Sequence, residues 1–458
     1  MATSPSTTAP SPPPLFEWQA KELEEHGNDY KRAIFASPRL GKSRVIVESL
    51  PLWGARRVLV ACPLIVAPQW AKWLESAGFR VIDLYSGTRA ARLSRLHGEG
   101  VAVANYDILQ ALGDDLVGWG PTAVVGDESH LLKGVRTRRA KVFRRLAWRA
   151  TFVRLLTGTP TPNHYGDLWG QLVALDPSDW GKSFERFAQR YLIRDTMFRN
   201  RVLGHRNTDE LQARVLKYAS IIRREDAFGP DDWQTVVRKV NLPPRIRRDY
   251  DTLAKTWLLE LPEGEVTADH VLKRLVRLQQ FTSVYLPLEH GTYKEIHNAK
   301  VEAVLADLEE IVESGEKAVI FHRFRWENAT YLRECQGRFG SIVASISGDT
   351  APQERAALID EFNNAEGPRI MVVQIQAGGV GISLASATHA LFVSRGFSFS
   401  EDEQARDRIY RPGARRCVTY YECEKTVDKF ISTVLERKGF VHEAVTNADH
   451  RALAFGYI

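Results

Sequence analysis

Residues 33–43 read AIFASPRLGKS, an apolar run, then a loop of small and conformationally special residues, then a helix-compatible start at Lys42. The octet Ala36-Ser37-Pro38-Arg39-Leu40-Gly41-Lys42-Ser43 has the spacing of a phosphate-cradling P-loop, with Ala36 in place of the usual first glycine. Backbone N–H groups in such a loop surround phosphate oxygens at a helix N-terminus, where the peptide dipoles favour anions. Pro38, Arg39, Leu40 and Gly41 would form the cradle, Lys42 would reach the β and γ oxygens, and the Ser43 hydroxyl would ligate Mg²⁺. A GKS tripeptide also starts ordinary helices, so the strand before it carries much of the weight.

Downstream, TAVVGDESH at 122–130 ends an apolar strand with two adjacent carboxylates. Asp127 is placed to hold Mg²⁺ and Glu128 to polarise an attacking water, so ATP and Mg²⁺ are the expected ligands. Around these two segments, β-branched runs alternate with helical patterns: RVLVAC at 57–62, RVIDLY at 80–85, GVAVANY at 100–106 and FVRLLTG at 152–158. That rhythm predicts an α/β fold with a doubly wound parallel sheet. A second series, KAVIFH at 317–322, SIVASI at 341–346, RIMVVQ at 369–374, HALFVS at 389–394 and CVTYYEC at 417–423, predicts a second lobe of the same kind.

The expected organisation is a disordered Pro/Ser/Thr-rich tail at 1–14, a first lobe at 15–165, a basic helical insertion associated with the first lobe at 166–240, a linker at 241–300, a second lobe at 301–440 and a tail at 441–458. Cys62, Cys335, Cys417 and Cys423 are scattered without metal-ligand spacing, and neither zinc nor disulfides are expected. Absence of a long apolar segment or signal layout implies a soluble, intracellular protein. The net charge of +6 raises the prior for an anionic partner without deciding it.

Taken in order, these motifs resemble helicase superfamily 2. GDESH is similar to its Walker B box and LLTGTPTPNHYGDLW at 155–169 to motif III, while ACPLIVAPQWAKWLE at 61–75 resembles motif Ia in the form of Swi/Snf-type ATPases. AVIFHRF at 318–324, SISGDTAPQERAALIDEFN at 345–363, VVQIQAGGVGISLASATHALFVSRGFS at 372–398 and QARDRIYRPGARRCVTYYECEKTVDKF at 404–430 are similar to the second-lobe motifs, the last being the arginine-finger motif. FERFAQRYL at 184–192 and VNLPPRIRRDY at 240–250 point within that group to the annealing-helicase, HepA-related branch.

The resemblance implies two RecA-like lobes sharing one ATP. It assigns Gln19, in LFEWQAKEL, to the adenine with Trp18 as a stacking candidate, and adds Gly379 and Gly381 to the nucleotide site. It places nucleic acid on Pro63, Gln69, Asn105, Tyr106, Arg323, Gly348, Gln376 and Ser383. Arg408 and Arg411, three apart, are expected on one helix face, from which both could reach the γ-phosphate. Three departures stand out: Arg39 replaces a glycine, Arg415 the glutamine of motif VI and Ser383 the asparagine of motif V. The Arg39 guanidinium could bind nucleotide oxygens or fold outward into solvent.

Between Leu131 and Arg154 the chain carries Lys133, Arg136, Arg138, Arg139, Lys141, Arg144, Arg145, Arg149 and Arg154 and no acid, which fits either a polyanion track or a solvated helix face. The function expected is ATP-driven translocation on double-stranded or forked DNA, gripped mainly through phosphates, with remodelling of DNA or protein–DNA complexes. A strand-separating or annealing helicase and a non-hydrolysing ATP-gated clamp are the rival readings, and a protein partner is left open.

Overall fold

The computed structural model describes residues 14–196, 202–229, 232–259, 268–287, 293–376 and 382–446. Most of the 1–14 tail, together with Gly379 and Gly381, lies outside them.

The strand bearing the P-loop, Lys31–Ala36, is buried along nearly its whole length because both faces of its sheet are covered. Its side chains alternate: Ala33 and Phe35 enter one apolar core, Ile34 and Ala36 the other. Val58 and Val60 divide from Leu59 and Ala61 in the same way on Arg57–Cys62. The sheet is wholly parallel and runs Val81–Asp83, Gly100–Asn105, Arg57–Cys62, Ala123–Asp127, Phe152–Thr157, Lys31–Ala36, Ala219–Ile222.

A second parallel sheet runs Trp233–Val240, Arg416–Cys423, His389–Phe392, Ala318–His322, Ile370–Gln374, Val343–Ile346. Here too Ala318 and Ile320 face one core and Val319 and Phe321 the other. The fold is therefore two parallel-sheet α/β lobes, with the loops that matter at the carboxyl ends of both sheets, where ligands of such sheets sit.

The segment boundaries differ from expectation in three places. Residues 166–240 are not simply a helical insertion, since they include strands Leu192–Arg194, Val202–His205, Ala219–Ile222 and Trp233–Val240. Helix Gly166–Leu175 is buried at all ten positions in the first lobe's core, and Ala219–Ile222 pairs with the P-loop strand. Trp233–Val240 crosses to the second sheet, and helices Pro244–Leu259 and Ala268–Thr282 pack Tyr250 and Phe281 into that lobe's core, so 241–300 is no linker. Residues 441–446 continue helix Val427–Thr446 instead of starting a tail. Among the described residues no helix is long and apolar enough to cross a membrane.

Candidate active site between the lobes

The P-loop turns by two left-handed residues, Arg39 at φ 65° and Gly41 at φ 78°. At Gly41 a Cβ would also lie 2.5 Å from Gln19 Nε2, so a side chain there would both strain the backbone and displace the Gln19 amide. Arg39 lacks the freedom of glycine, and its conformation costs about 1 kcal/mol or more. Leu40 is fully buried and anchors the loop, and Pro38 packs on Gly158. Lys42 opens helix Lys42–Trp53 and folds back to donate to Ala36 O at 2.7 Å and Ser37 O at 3.2 Å. Burial pulls the Lys42 pKa down, against the charges of Glu128 and Asp127.

Asp127 ends a fully buried strand. Its Oδ2 accepts from Trp70 Nε1 at 2.8 Å, its Oδ1 accepts from Glu128 N at 3.0 Å, and its carbonyl accepts from the Tyr106 hydroxyl at 2.7 Å. Burial, and then repulsion from Glu128, raises the Asp127 pKa. Burial acts against the Glu128 carboxylate as well, but His130, Lys42 and Thr157 bring its pKa below the ordinary value. His130 Nδ1 lies 3.2 Å from Glu128 Oε2 and 3.0 Å from Thr157 Oγ1. The family box contains that histidine, and its spacing of two from the glutamate was the signal for its role.

From the second lobe Arg408 lines the same cavity of about 380 Å³ as Lys42, Ser43, Asp127 and Glu128, with Arg39, Gln404 and Ser383 also on its wall. Burial, then the charges of Arg39 and Arg355, pushes the Arg408 pKa down to about 9. Its Nη2 donates to Ile375 O at 3.0 Å. Arg411 is not beside it. Helix Phe399–Arg406 ends before Arg408, a 3₁₀ turn covers Asp407–Ile409, and Tyr410 is extended, so the shared helix face does not exist and Arg411 is exposed.

Arg39 follows neither course open to it in the sequence. Its guanidinium crosses to the second lobe, where Nη2 donates to Ile382 O at 2.6 Å and Nη1 to Ser383 Oγ at 3.1 Å. Gln19 is buried, its Nε2 donating to Leu40 O and Gly41 O and its Oε1 accepting from Phe16 N. It braces the loop, which leaves its amide already engaged. Trp18 is half-buried against the core.

The residues assigned to nucleic acid divide. Gln69, Gly348, Gln376 and Ser383 are exposed, Ser383 being engaged by Arg39, and Pro63 is half-exposed before the exposed Leu64 and Ile65. Asn105 and Tyr106 are buried: Asn105 caps a helix through Ile108 N and the Tyr106 hydroxyl holds the Asp127 strand end, so neither faces a track. Arg323 is half-buried and donates to Gln279 Oε1 at 2.8 Å. The basic run divides as well. Arg144 and Arg154 are buried, Arg154 donating to the carbonyls of His26, Gly27 and Asp29, whereas Arg136, Arg138, Lys141 and Arg149 are exposed.

Other contacts across the lobes escaped sequence reasoning. Arg224 pairs with buried Asp407 and lies 4.2 Å over the Tyr410 ring. Lys438 Nζ donates to Asn163 Oδ1 at 2.8 Å. Both join residues nearly two hundred or more positions apart.

Two parallel-sheet lobes closing a P-loop, a paired carboxylate and an arginine into one cavity define a helicase-type nucleoside triphosphatase. The model of the SNF2-related domain matches residues 19–248 and that of the helicase conserved C-terminal domain residues 300–413, and the chain belongs to the SNF2-related family of superfamily 2 ATPases. It is 23% identical over 86% of its length to the putative ATP-dependent helicase/translocase YwqA of Bacillus subtilis, covering 43% of that protein. It is 25% identical over 83% of its length to the SWI/SNF-related matrix-associated actin-dependent regulator of chromatin subfamily A-like protein 1 of Xenopus tropicalis, covering 39% of it. The chain thus spans about two fifths of these relatives. A solved Sulfolobus solfataricus SWI2/SNF2 ATPase core in complex with dsDNA aligns over 97% of this chain and 95% of its own, at 20% identity and a TM-score of 0.42.

Proposed function

We propose that this protein is an ATP-dependent double-stranded DNA translocase that remodels DNA or protein–DNA complexes, hydrolysing ATP between its lobes. The observation that carries the reading is Arg408 of one lobe lining the cavity that holds Lys42, Asp127 and Glu128 of the other. Lys42 neutralises phosphate charge from the first lobe, and Arg408 neutralises the charge that grows during phosphoryl transfer from the second. Glu128, oriented by His130, accepts the proton of the attacking water.

Two adjacent buried carboxylates repel one another, and a divalent cation would relieve that repulsion. Asp127 and the Ser43 hydroxyl are the residues suited to hold Mg²⁺, which when bound screens the phosphate oxygens. For the track, exposed Gln69 and Gln376, with Arg136, Arg138 and Lys141, offer amide and cationic donors suited to phosphates. The helicase/translocase name of the Bacillus relative agrees with an ATP-driven motor.

The test is phosphate release measured with duplex DNA, forks, single strands and RNA, alongside displacement of a triplex-forming strand. Duplex-stimulated turnover with triplex displacement and no strand separation supports translocation. Stimulation by single strands with fork unwinding would favour a strand-separating helicase, and absence of turnover on any nucleic acid would leave only an ATP-gated clamp.

A further inference from the structure

Arg39 is a cation in a backbone conformation that ordinarily belongs to glycine, φ 65°, in the loop that faces phosphates. Its side chain nevertheless points out of its own lobe. Three acceptors of the second lobe receive it: Ile382 O at 2.6 Å, Ser383 Oγ at 3.1 Å and Tyr410 O at 3.4 Å. Ile382 and Ser383 lie in the motif V segment, and Tyr410 follows Arg408 by two residues. The two gripped segments are themselves joined at Arg408, since Leu384 N donates to Arg408 O at 2.8 Å. One guanidinium therefore spans the residues on both sides of the arginine finger. A planar five-donor fork can bridge such separated acceptors, which a single ammonium cannot do equally well.

Nothing else in the P-loop reaches so far. Gln19 and Lys42 spend their donors on the loop's own carbonyls. The groups facing Arg39 are Asp407, which favours its charge, and Arg224 and Arg408, which oppose it. Arg39, Lys42 and Arg408 thus line one cavity together with the carboxylates of Asp127, Glu128 and Asp407.

We propose that Arg39 is a positioning residue that latches the phosphate loop to the second lobe and seats Arg408 at the shared cavity. The proposal rests on the ATPase reading for its kinetic part only.

Arg39→Gly suits the left-handed backbone and removes only the guanidinium, while Arg39→Lys keeps the charge without the fork. The experiment compares wild type and both variants by small-angle scattering without nucleotide, by titration with a fluorescent non-hydrolysable ATP analogue, and by steady-state ATPase with duplex DNA. Arg39→Gly is expected to enlarge the nucleotide-free radius of gyration and lower kcat by about tenfold, with analogue affinity and KM changing less than about threefold. Arg39→Lys should fall between. An unchanged radius of gyration in Arg39→Gly overturns the latch, as does a loss of analogue affinity equal to the loss of rate, which would make Arg39 a phosphate ligand. If wild type shows no turnover, the ATPase reading fails and the scattering comparison alone decides the latch.

Discussion

The hydroxyls of Thr159 and Ser400, 241 positions apart, meet at 2.9 Å across the lobe interface, both buried. Thr159 N donates to Thr157 Oγ1 at 3.1 Å, Thr157 Oγ1 is 3.0 Å from His130 Nδ1, and His130 borders Glu128. A line of polar contacts thus runs from Glu128, the proposed base, to helix Phe399–Arg406, which leads directly into Arg408. Thr159→Val keeps the shape but leaves the Ser400 hydroxyl with a poor partner, at a cost of about 1–2 kcal/mol to the closed form. Turnover is expected to fall about fivefold to thirtyfold with nucleotide affinity retained. Parallel ATPase and nucleotide-titration measurements check this, and equal losses in both would contradict it.

Glu128→Gln retains the size of the carboxylate and its place beside His130 while removing the proton acceptor. ATP binding should persist while turnover drops by about 10²–10⁴. His130→Ala, which frees the carboxylate without removing it, should cost less. A Glu128→Gln variant with near-normal phosphate release would show that another group is the base.

Arg408→Ala withdraws the only second-lobe guanidinium that, among the described residues, lines the cavity with Lys42. A fall of about 10³ or more in kcat is expected from the loss of a finger. Nucleotide titration should change far less, because Lys42 and the P-loop remain. Matching losses in affinity and rate would assign Arg408 to ground-state binding.

Asp407 is buried with Arg224, and truncating one partner strands the other in low dielectric. Asp407→Ala should destabilise the closed protein by about 3–5 kcal/mol, and Asp407→Asn by less. Urea unfolding followed at several wavelengths reads this directly. A change within error would place the pair in solvent.

His322 is wholly buried at the end of Ala318–His322, and burial pulls its pKa to about 4 from 6.5. As pH falls, the unfolded chain takes up this proton first, so between about 6.5 and 4 it binds more protons than the folded form and stability declines. The decline from this group should be on the order of 1–3 kcal/mol and level off below its folded value. Comparing urea unfolding of wild type and His322→Gln from pH 7 to 4 isolates it, since the carboxylates titrate alike in both. Parallel profiles would remove His322 as the cause.

Much of the architecture was legible because it is local. Apolar runs such as RVLVAC at 57–62 and KAVIFH at 317–322 became buried parallel strands, and Lys42, Ser43, Asp127 and Glu128 converge because each directly follows a strand end or opens the next helix. WQTVVRKV at 233–240 was misassigned because it follows the first lobe's segments directly in the chain, and only pairing with Arg416–Cys423 makes it a largely exposed edge strand of the second sheet. Arg411 was misplaced because a spacing of three implies one face only while the helix lasts.

The order of the residues alone determined the parallel-sheet class, the P-loop and the paired carboxylates, since strand period and loop chemistry act over a few positions. Tertiary structure decided what reaches across. Whether Arg39 crosses to Ile382, whether Gln19 is spent on the loop, whether Tyr106 supports Asp127 instead of facing a track, and which arginine lines the cavity all depend on distances between segments far apart in the chain. Those distances are set by how the cores of both lobes pack, which no local pattern encodes.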